Sequence, residues 1–128
     1  MARSILIVDD DDALRGVLAR VLSAAGYDVR SAPGADEALR DIPADMPDLL
    51  ITDIMMPLGD GVELIRETRR RWPDVAIVAM SGRSLGKLDL LKAAERLGAD
   101  ASLSKPFSSD ELLLTVEDVF ARPTPPGA

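Results

Sequence analysis

Segments with strand-like composition alternate with segments of helical periodicity along the chain. The strand-like segments are mostly apolar and rich in Val, Ile and Leu, which is typical of strands covered on both faces. Five strands alternating with five helices predict an α/β domain with a parallel sheet and right-handed crossovers. The predicted strands are residues 5–8, 27–32, 49–52, 75–80 and 101–104. The first predicted helix contains residues 14–25, and the others are residues 35–41, 62–71, 87–97 and 108–120.

Local signals give the expected ends of several helices. Gly26 and Gly98 follow helical segments and are expected to cap them. Pro43 is expected to end the second helix near Asp41. Ser108 and Glu111 have the spacing of a capping box at the start of the last helix. In the first helix, one buried stripe is predicted to contain Leu14, Val17, Leu18, Val21, Leu22 and Ala25.

Length, charge and composition limit the function classes. A chain of 128 residues is expected to form one domain, here residues 1–121, with the Pro-rich residues 122–128 as a tail or linker stub. The net charge of −7 argues against direct binding to nucleic acid. The chain has no cysteine, and none of its apolar runs is long enough for a signal peptide or a membrane span. We therefore predict a cytoplasmic protein.

Candidate chemistry lies where predicted strands end. Asp9 and Asp10 follow the first strand, Asp53 the third, Ser81 the fourth and Lys105 the fifth. The carboxyl ends of parallel strands share one edge of a sheet, where open α/β sheets bind ligands. These residues are therefore expected to meet in one pocket.

The residue types in that pocket fit phosphoryl transfer. Asp53 is the candidate nucleophile, because a carboxylate can attack a phosphoryl group and form an aspartyl phosphate. Asp9 and Asp10 end a buried strand, so a cation is expected to compensate their charge, and Mg²⁺ prefers such hard oxygen ligands. Ser81 and Lys105 are expected to hold phosphoryl oxygens. Asp11 or Asp12 is instead predicted to cap the first helix.

The charges in this pocket predict a switch. Asp9, Asp10 and Asp53 contribute −3, Mg²⁺ would contribute +2 and Lys105 contributes +1, so the resting site sums to zero. Phosphorylation replaces one negative charge on Asp53 by about two. The additional charge is expected to draw Ser81 and Lys105 inward.

From residue 5 to residue 120 the chain resembles a response-regulator receiver domain of two-component signalling. The matching motifs are Ile-Leu-Ile-Val-Asp-Asp at 5–10, Asp-Ile-Met-Met-Pro at 53–57 followed by Asp60-Gly61, Met80-Ser81-Gly82, and Lys105-Pro106-Phe107. The resemblance implies a flavodoxin-like, doubly wound sheet of order 2-1-3-4-5. It implies Mg²⁺ on Asp9, Asp10, Asp53 and the Met55 carbonyl, and a cis peptide bond before Pro106.

The resemblance also implies partners and reactivity. The phosphoryl group would come from a histidine kinase or a histidine phosphotransfer protein, and a downstream effector or output domain would receive the signal. The domain would be a phospho-switch that catalyses its own phosphorylation and slow dephosphorylation, and not a metabolic enzyme.

Three features depart from the common receiver pattern. Ser102 occupies the position three residues before the lysine where many receivers carry an aromatic switch residue. The loop of residues 82–86 is slightly longer than the common form, and Met55 and Arg83 occupy the variable positions beside the phosphoryl group.

A surface for docking or homodimerisation is expected on the fourth helix and the fifth strand. The helical phase places Leu90, Ala93, Ala94 and Leu97 on one face of that helix, with Leu88 and Leu91 toward the opposite side.

Other function classes were compared with the receiver domain. A haloacid-dehalogenase-like phosphatase needs a second acid two residues after its nucleophile, where this chain has Met55. A flavin-binding domain needs a phosphate-binding loop where this chain has four aspartates. The sequence is also compatible with a receiver-like domain that acts by binding alone. It does not decide between a stand-alone regulator and one domain of a longer protein.

Overall fold

The computed structural model describes residues 2–56, 60–82 and 87–122, with the backbone only for residues 60, 87, 88, 90 and 91. Its five strands form one parallel sheet of order β2-β1-β3-β4-β5. This confirms both the predicted α/β class and the order that the resemblance implied. The strands are β1 Ser4–Val8, β2 Asp28–Ala32, β3 Leu49–Asp53, β4 Ala76–Ser81 and β5 Ala101–Ser104. The helices found in these described ranges are α1 Asp12–Ala24, α2 Ala35–Ala44, α3 Asp60–Arg71, α4 Lys87–Leu97 and α5 Ser109–Ala121.

The sheet separates two apolar cores, because successive side chains of a strand face opposite sides. In β1, Ile5 and Ile7 face one core, and Leu6 and Val8 face the other. Helices α1 and α5 cover the first face, and α2, α3 and α4 cover the second. The central strand β3 is buried along its whole length, including Asp53 at its carboxyl end.

Helix α1 begins as predicted but buries a narrower stripe. Asp11 is its N-cap, and the Asp11 side chain accepts a hydrogen bond from the Leu14 amide. Val17 is 53% exposed, so its placement in the buried stripe was wrong. At 100° per residue it lies at the margin of the face centred on Leu18. Ala25 was also predicted in the buried stripe, but it is exposed and is the C-cap residue, so that placement was wrong as well. Gly26 follows with a φ of 100°.

Helix α2 continues past the position where its end was predicted. It includes Pro43 and ends at Ala44, with Asp45 as its C-cap. The fixed φ of proline suits a helix, and its missing N–H removes a single hydrogen bond. Ile42 is fully buried and holds this last turn against the core. The prediction that Pro43 ends the helix was therefore wrong.

The remaining ends differ from the predictions by one or two residues. Asp53 and Ser81 are the last residues of β3 and β4 rather than the residues after them, and β2 begins at Asp28. The capping box of Ser108 and Glu111 is present, and the Lys105-Pro106 bond is cis. Pro57, the loop residues 83–86 and the tail residues 123–128 lie outside the described residues. No helix in the described ranges is both long and apolar enough to span a membrane.

Candidate functional site

The strand register brings the predicted site residues to one edge of the sheet. Val8 pairs with Thr52, Asp53 with Met80, and Ser81 with Ser104. Asp9 and Lys105, which follow β1 and β5, therefore come level with the last residues of β3 and β4. The amide of Lys105 donates to the Ser81 carbonyl at 2.7 Å, which continues the ladder by one residue past β5.

Three carboxylates cluster at this edge. Oxygen atoms of Asp9, Asp10 and Asp53 all lie within 4.8 Å of one another. Asp9 is fully buried, Asp53 is 5% exposed, and Asp10 is exposed to solvent. Burying carboxylates is costly unless positive charge and hydrogen bonds compensate. The site must therefore supply both positive charge and hydrogen-bond donors.

Lys105 supplies the positive charge to both buried acids. Its Nζ donates to Asp9 Oδ2 at 2.8 Å and to Asp53 Oδ2 at 2.7 Å. Burial, the largest influence, lowers the pKa of Lys105, but the hydrogen bonds to Asp53 and Asp9 and their negative charges outweigh it. The pKa of Lys105 is therefore raised above its ordinary value, and the ammonium form is favoured.

The second oxygen of each buried acid is held by a backbone amide. Asp9 Oδ1 accepts from the Asp11 amide at 2.9 Å, and Asp53 Oδ1 accepts from the Met55 amide at 2.9 Å. In both cases the donor lies two residues after the aspartate, the arrangement of an Asx turn. These hydrogen bonds fix the orientation of both carboxylates. The side chain of Met55 itself is 58% exposed.

Ser81 lies at the same edge with a buried hydroxyl. The residue is fully buried, and its Oγ has no hydrogen-bond partner among the described residues. Leaving a buried hydroxyl unpaired costs about 1–3 kcal/mol. The structure thus clusters the carboxylates of Asp9, Asp10 and Asp53 and joins Lys105 to Asp9 and Asp53. The Ser81 hydroxyl at the same edge is an uncommitted donor.

The residues at this edge fit a magnesium ion. Asp9, Asp10 and Asp53 offer three hard oxygen ligands, which Mg²⁺ prefers. Their charges and that of Lys105 sum to −2, so a divalent cation would neutralise the site. The Met55 carbonyl, the fourth ligand implied by the resemblance, stays a prediction.

A cleft leads from solvent toward this edge. It has a volume of about 430 Å³ and is lined by Leu14, Gly82, Lys105, Pro106 and Phe107. Because Lys105 contacts Asp53 and also lines this cleft, the cleft connects the acidic cluster with the side of α1 and the segment after β5.

Two contacts beside the cluster were not predicted from the sequence. Arg15 in α1 donates from Nη1 to the Asp9 carbonyl at 2.8 Å. A Cβ on Gly61 would lie 2.0 Å from the Asp53 carbonyl oxygen, so the backbone of α3 passes directly against β3. Asp60-Gly61 was recognised as part of a matching motif, but its close approach to β3 was not predicted, because no pattern in the sequence reports the distance between two backbones.

The predicted docking face on α4 and β5 is only partly described. Ala94 is buried and Leu97 packs against the same core, as the helical phase predicted. Ser102 in β5 is half-buried. The side chains of Leu88, Leu90 and Leu91 lie outside the described part, so the homodimer surface stays a prediction.

Comparisons with known proteins agree on one family. The family profile described as response regulator receiver domain matches residues 5–117. The chain is 40% identical to the response regulator MprA of Mycobacterium bovis over 128 residues, and 39% identical to the DNA-binding transcriptional regulator NtrC of Azospirillum brasilense over 127 residues. The receiver domain of NtrX from Brucella abortus superimposes with a TM-score of 0.85 at 34% identity, covering 93% of this chain and 99% of that one.

The curated relatives are longer than this chain. The alignments cover 99–100% of the chain but only 55% of MprA and 26% of NtrC. The similarity therefore concerns one domain of those proteins.

Proposed function

Because the chain belongs to the response-regulator receiver family, we propose that it accepts a phosphoryl group on Asp53 and thereby controls an output domain or a separate effector. One observation carries the proposal. Asp53 lies at the centre of the acidic cluster, with Lys105 Nζ on one carboxylate oxygen and the Met55 amide on the other. Asp9 is also buried and contacts Lys105, but only Asp53 belongs to β3, which lies between β1 and β4 and therefore between Asp9 and Ser81.

The residues of the chain divide the chemistry between them. A carboxylate oxygen of Asp53 forms a bond to phosphorus while the bond from phosphorus to the donor nitrogen or oxygen breaks. Lys105 moves from the carboxylates to a phosphoryl oxygen, and the Ser81 hydroxyl donates to a second one. The Met55 amide keeps the other oxygen of Asp53 in place, so the nucleophile is oriented before the donor arrives.

The same cluster provides the metal site. Asp9, Asp10 and Asp53, with the Met55 carbonyl, would hold Mg²⁺, which when bound supplies positive charge to the phosphoryl oxygens. The domain in this proposal catalyses its own phosphorylation and, slowly, its own hydrolysis. Met55 is exposed and lies two residues after Asp53, and we expect its side chain to limit the access of water to the phosphorylated Asp53.

Phosphorylation would act as a switch through these contacts. The added charge draws the Ser81 hydroxyl and Lys105 toward residue 53, and Ser81 is part of β4, next to β5. Two conformations that contact the phosphoryl group differently would then shift in population. With Ser102 in place of an aromatic residue, we expect β4, the strand that contains Ser81, to transmit more of this change.

The proposed partners follow from the family. A histidine kinase or histidine phosphotransfer protein in the cytoplasm donates the phosphoryl group. Residues 1–121 form the receiver domain, and residues 122–128 form a tail or linker stub. The relative NtrC is a DNA-binding regulator, but with a net charge of −7 this domain is not expected to contact DNA itself.

The proposal is tested by intact-mass measurement after incubation with acetyl phosphate. We expect one phosphoryl adduct with Mg²⁺ present and none with a chelator. Asp53→Asn keeps the shape of the side chain but removes the nucleophile, so it should give no adduct. Asp74→Asn, at an exposed position outside the site, is the matched control and should behave like the unmodified protein.

Two outcomes would contradict the proposal. An adduct that persists in Asp53→Asn would move the phosphoacceptor to another residue. No adduct with acetyl phosphate or with a phosphorylated histidine phosphotransfer domain would favour a receiver-like domain that acts by binding alone.

A further inference from the structure

Arg15 reaches from the first turns of α1 to the backbone of the acidic cluster. Its Nη1 donates to the Asp9 carbonyl at 2.8 Å and lies 2.8 Å from Asp12 Oδ1. The Arg15 side chain is 16% exposed, whereas that of Asp12 is 84% exposed. Of the two contacts that Arg15 makes, the one with Asp9 is therefore the buried one.

An ordinary surface ion pair does not explain this placement. Exposed pairs three residues apart on a helix contribute only about 0.2–0.5 kcal/mol. Arg15 Nε, by contrast, is buried without a hydrogen-bond partner in the part of the chain that the structure covers, and such a group costs about 1–3 kcal/mol. The contact with Asp12 alone would not offset that cost.

The contact with Asp9 completes a set that fixes this residue. Asp9 Oδ1 accepts from the Asp11 amide, Asp9 Oδ2 accepts from Lys105, and the Asp9 carbonyl accepts from Arg15. The carbonyl of Asp9 belongs to the peptide unit that joins it to Asp10. Holding that oxygen fixes the plane of the peptide, and the plane sets the direction in which the exposed Asp10 side chain leaves the backbone.

We infer that Arg15 is a positioning residue for the metal site: its guanidinium holds the Asp9-Asp10 peptide so that both carboxylates are arranged for Mg²⁺. The inference rests on the proposed function, because it deepens the assignment of the metal ligands. Groups that orient metal ligands from outside typically change metal affinity by about 10–100-fold.

The sign of the effect separates positioning from charge. If Arg15 acted only through its positive charge, its removal would increase the attraction of the acidic cluster for Mg²⁺ and lower the Kd. If Arg15 positions the ligands, its removal raises the Kd, although the net charge becomes more negative. The two explanations therefore predict opposite results for the same variant.

The test is Mg²⁺ titration by calorimetry on the full chain. Arg15→Met keeps much of the length of the side chain without a donor, and we expect its Kd to rise at least about tenfold. Arg15→Lys retains a charged donor and should restore most of the affinity. Arg20→Met makes the same change of charge at an exposed position of α1 and should leave the Kd nearly unchanged.

Folding is checked by thermal unfolding in the presence of a chelator. If Arg15→Met does not fold, Arg15→Gln provides the measurement, because its amide is too short to reach the Asp9 carbonyl. An unchanged or lower Kd in the folded variant would overturn the inference while leaving the proposed function intact. Failure of the unmodified protein to bind Mg²⁺ would instead overturn the metal site itself.

Discussion

Asp53 is confined by its backbone neighbours as well as by its side-chain partners. The carbonyl oxygens of Asp53 and Ile54 would lie 2.0 and 2.6 Å from a Cβ at position 61. Any side chain there would have to displace the segment that carries the proposed phosphoacceptor. The glycine at position 61 is therefore required by a close approach of two backbones.

Replacing this glycine should damage both the fold and the site. We expect Gly61→Ala to lower the free energy of unfolding by about 1–3 kcal/mol or more, because two backbone segments must move apart. Phosphorylation of Asp53 by acetyl phosphate should slow in the same variant, because the carboxylate loses its fixed orientation. Chemical denaturation and intact-mass time courses measure the two effects.

Gly16 provides the matched control. It lies within α1, and a Cβ there would meet nothing within 4 Å. Gly16→Ala should therefore raise the free energy of unfolding by about 0.5–1 kcal/mol, since alanine is the better helix former. Equal effects of the two substitutions would show that the close approach at Gly61 does not limit stability.

At the scale of single residues, the sequence predicted those site residues that lie at the ends of strands. Asp9, Asp10, Asp53 and Lys105 could be grouped because parallel strands bring their ends together. Arg15 and the Met55 amide could not be assigned to this group from the sequence. The contact of Arg15 depends on where α1 starts, and that of the Met55 amide depends on how the chain turns after β3. Both contacts involve a backbone atom, for which residue type carries no signal.

The turn between α4 and β5 is tied to two other elements at the edge of the sheet opposite the site. Asp100 Oδ2 accepts from the Ile77 amide at 2.8 Å and from Arg69 Nη2 at 2.9 Å. Arg69 Nε also donates to the Gly98 carbonyl at 3.0 Å, just after the end of α4. The end of α3, the start of β4 and the end of α4 are thus joined through one ion pair.

Removing this connection should affect stability without affecting phosphorylation. Asp100→Ala leaves the Ile77 amide and Arg69 without their shared acceptor, so we expect a loss of about 1–3 kcal/mol in the free energy of unfolding. Asp74→Ala, at an exposed position nearby in the fold, is the control. The rate of Asp53 phosphorylation should be unchanged, because Asp100 lies at the opposite end of the strands.

A different result would revise the role of this connection. A slower phosphorylation of Asp53 in a folded Asp100→Ala variant would mean that the two edges of the sheet are coupled. Loss of stability in Asp74→Ala to the same extent would mean that the effect is one of general charge.

At the scale of elements, periodicity predicted the type and order of the helices and strands, but not every end. Pro43 is a helix breaker by composition, yet the burial of Ile42 beside it keeps the last turn of α2 in place. Val17 has the spacing of a core residue, yet it is exposed. The face of α1 that contacts the sheet is too narrow to include it. Both errors arise from tertiary packing, which a local pattern does not contain.

At the scale of the whole molecule, alternation of strands and helices predicted a parallel sheet but not its strand order. Doubly wound sheets occur in more than one order, and each obeys the same crossover rule. The order 2-1-3-4-5 followed from the resemblance carried by residues at the strand ends. That order matters for the site, because it puts β3 between β1 and β4 and therefore Asp53 between Asp9 and Ser81.

If the acidic cluster holds Mg²⁺ as proposed, the stability of the whole domain depends on that ion. Without a cation, the charges of Asp9, Asp10, Asp53 and Lys105 sum to −2 at the edge of the sheet. An ion that binds only the folded state stabilises it by RT ln(1 + [Mg²⁺]/Kd), which is about 2.7 kcal/mol at a hundred times the Kd. We therefore expect the midpoint of thermal unfolding to rise with Mg²⁺ concentration, and to fall back on chelation.

This stabilisation should require the cluster and not merely the overall negative charge of the chain. Asp10→Asn removes an exposed carboxylate that offers one ligand atom, so its unfolding midpoint should respond much less to Mg²⁺ than that of Asp74→Asn, which has the same net charge. KCl at matched ionic strength separates specific binding from screening, since screening acts on all exposed charges alike. An equal response of the two variants would mean that Mg²⁺ stabilises the fold by screening, and that Asp10 does not hold the ion.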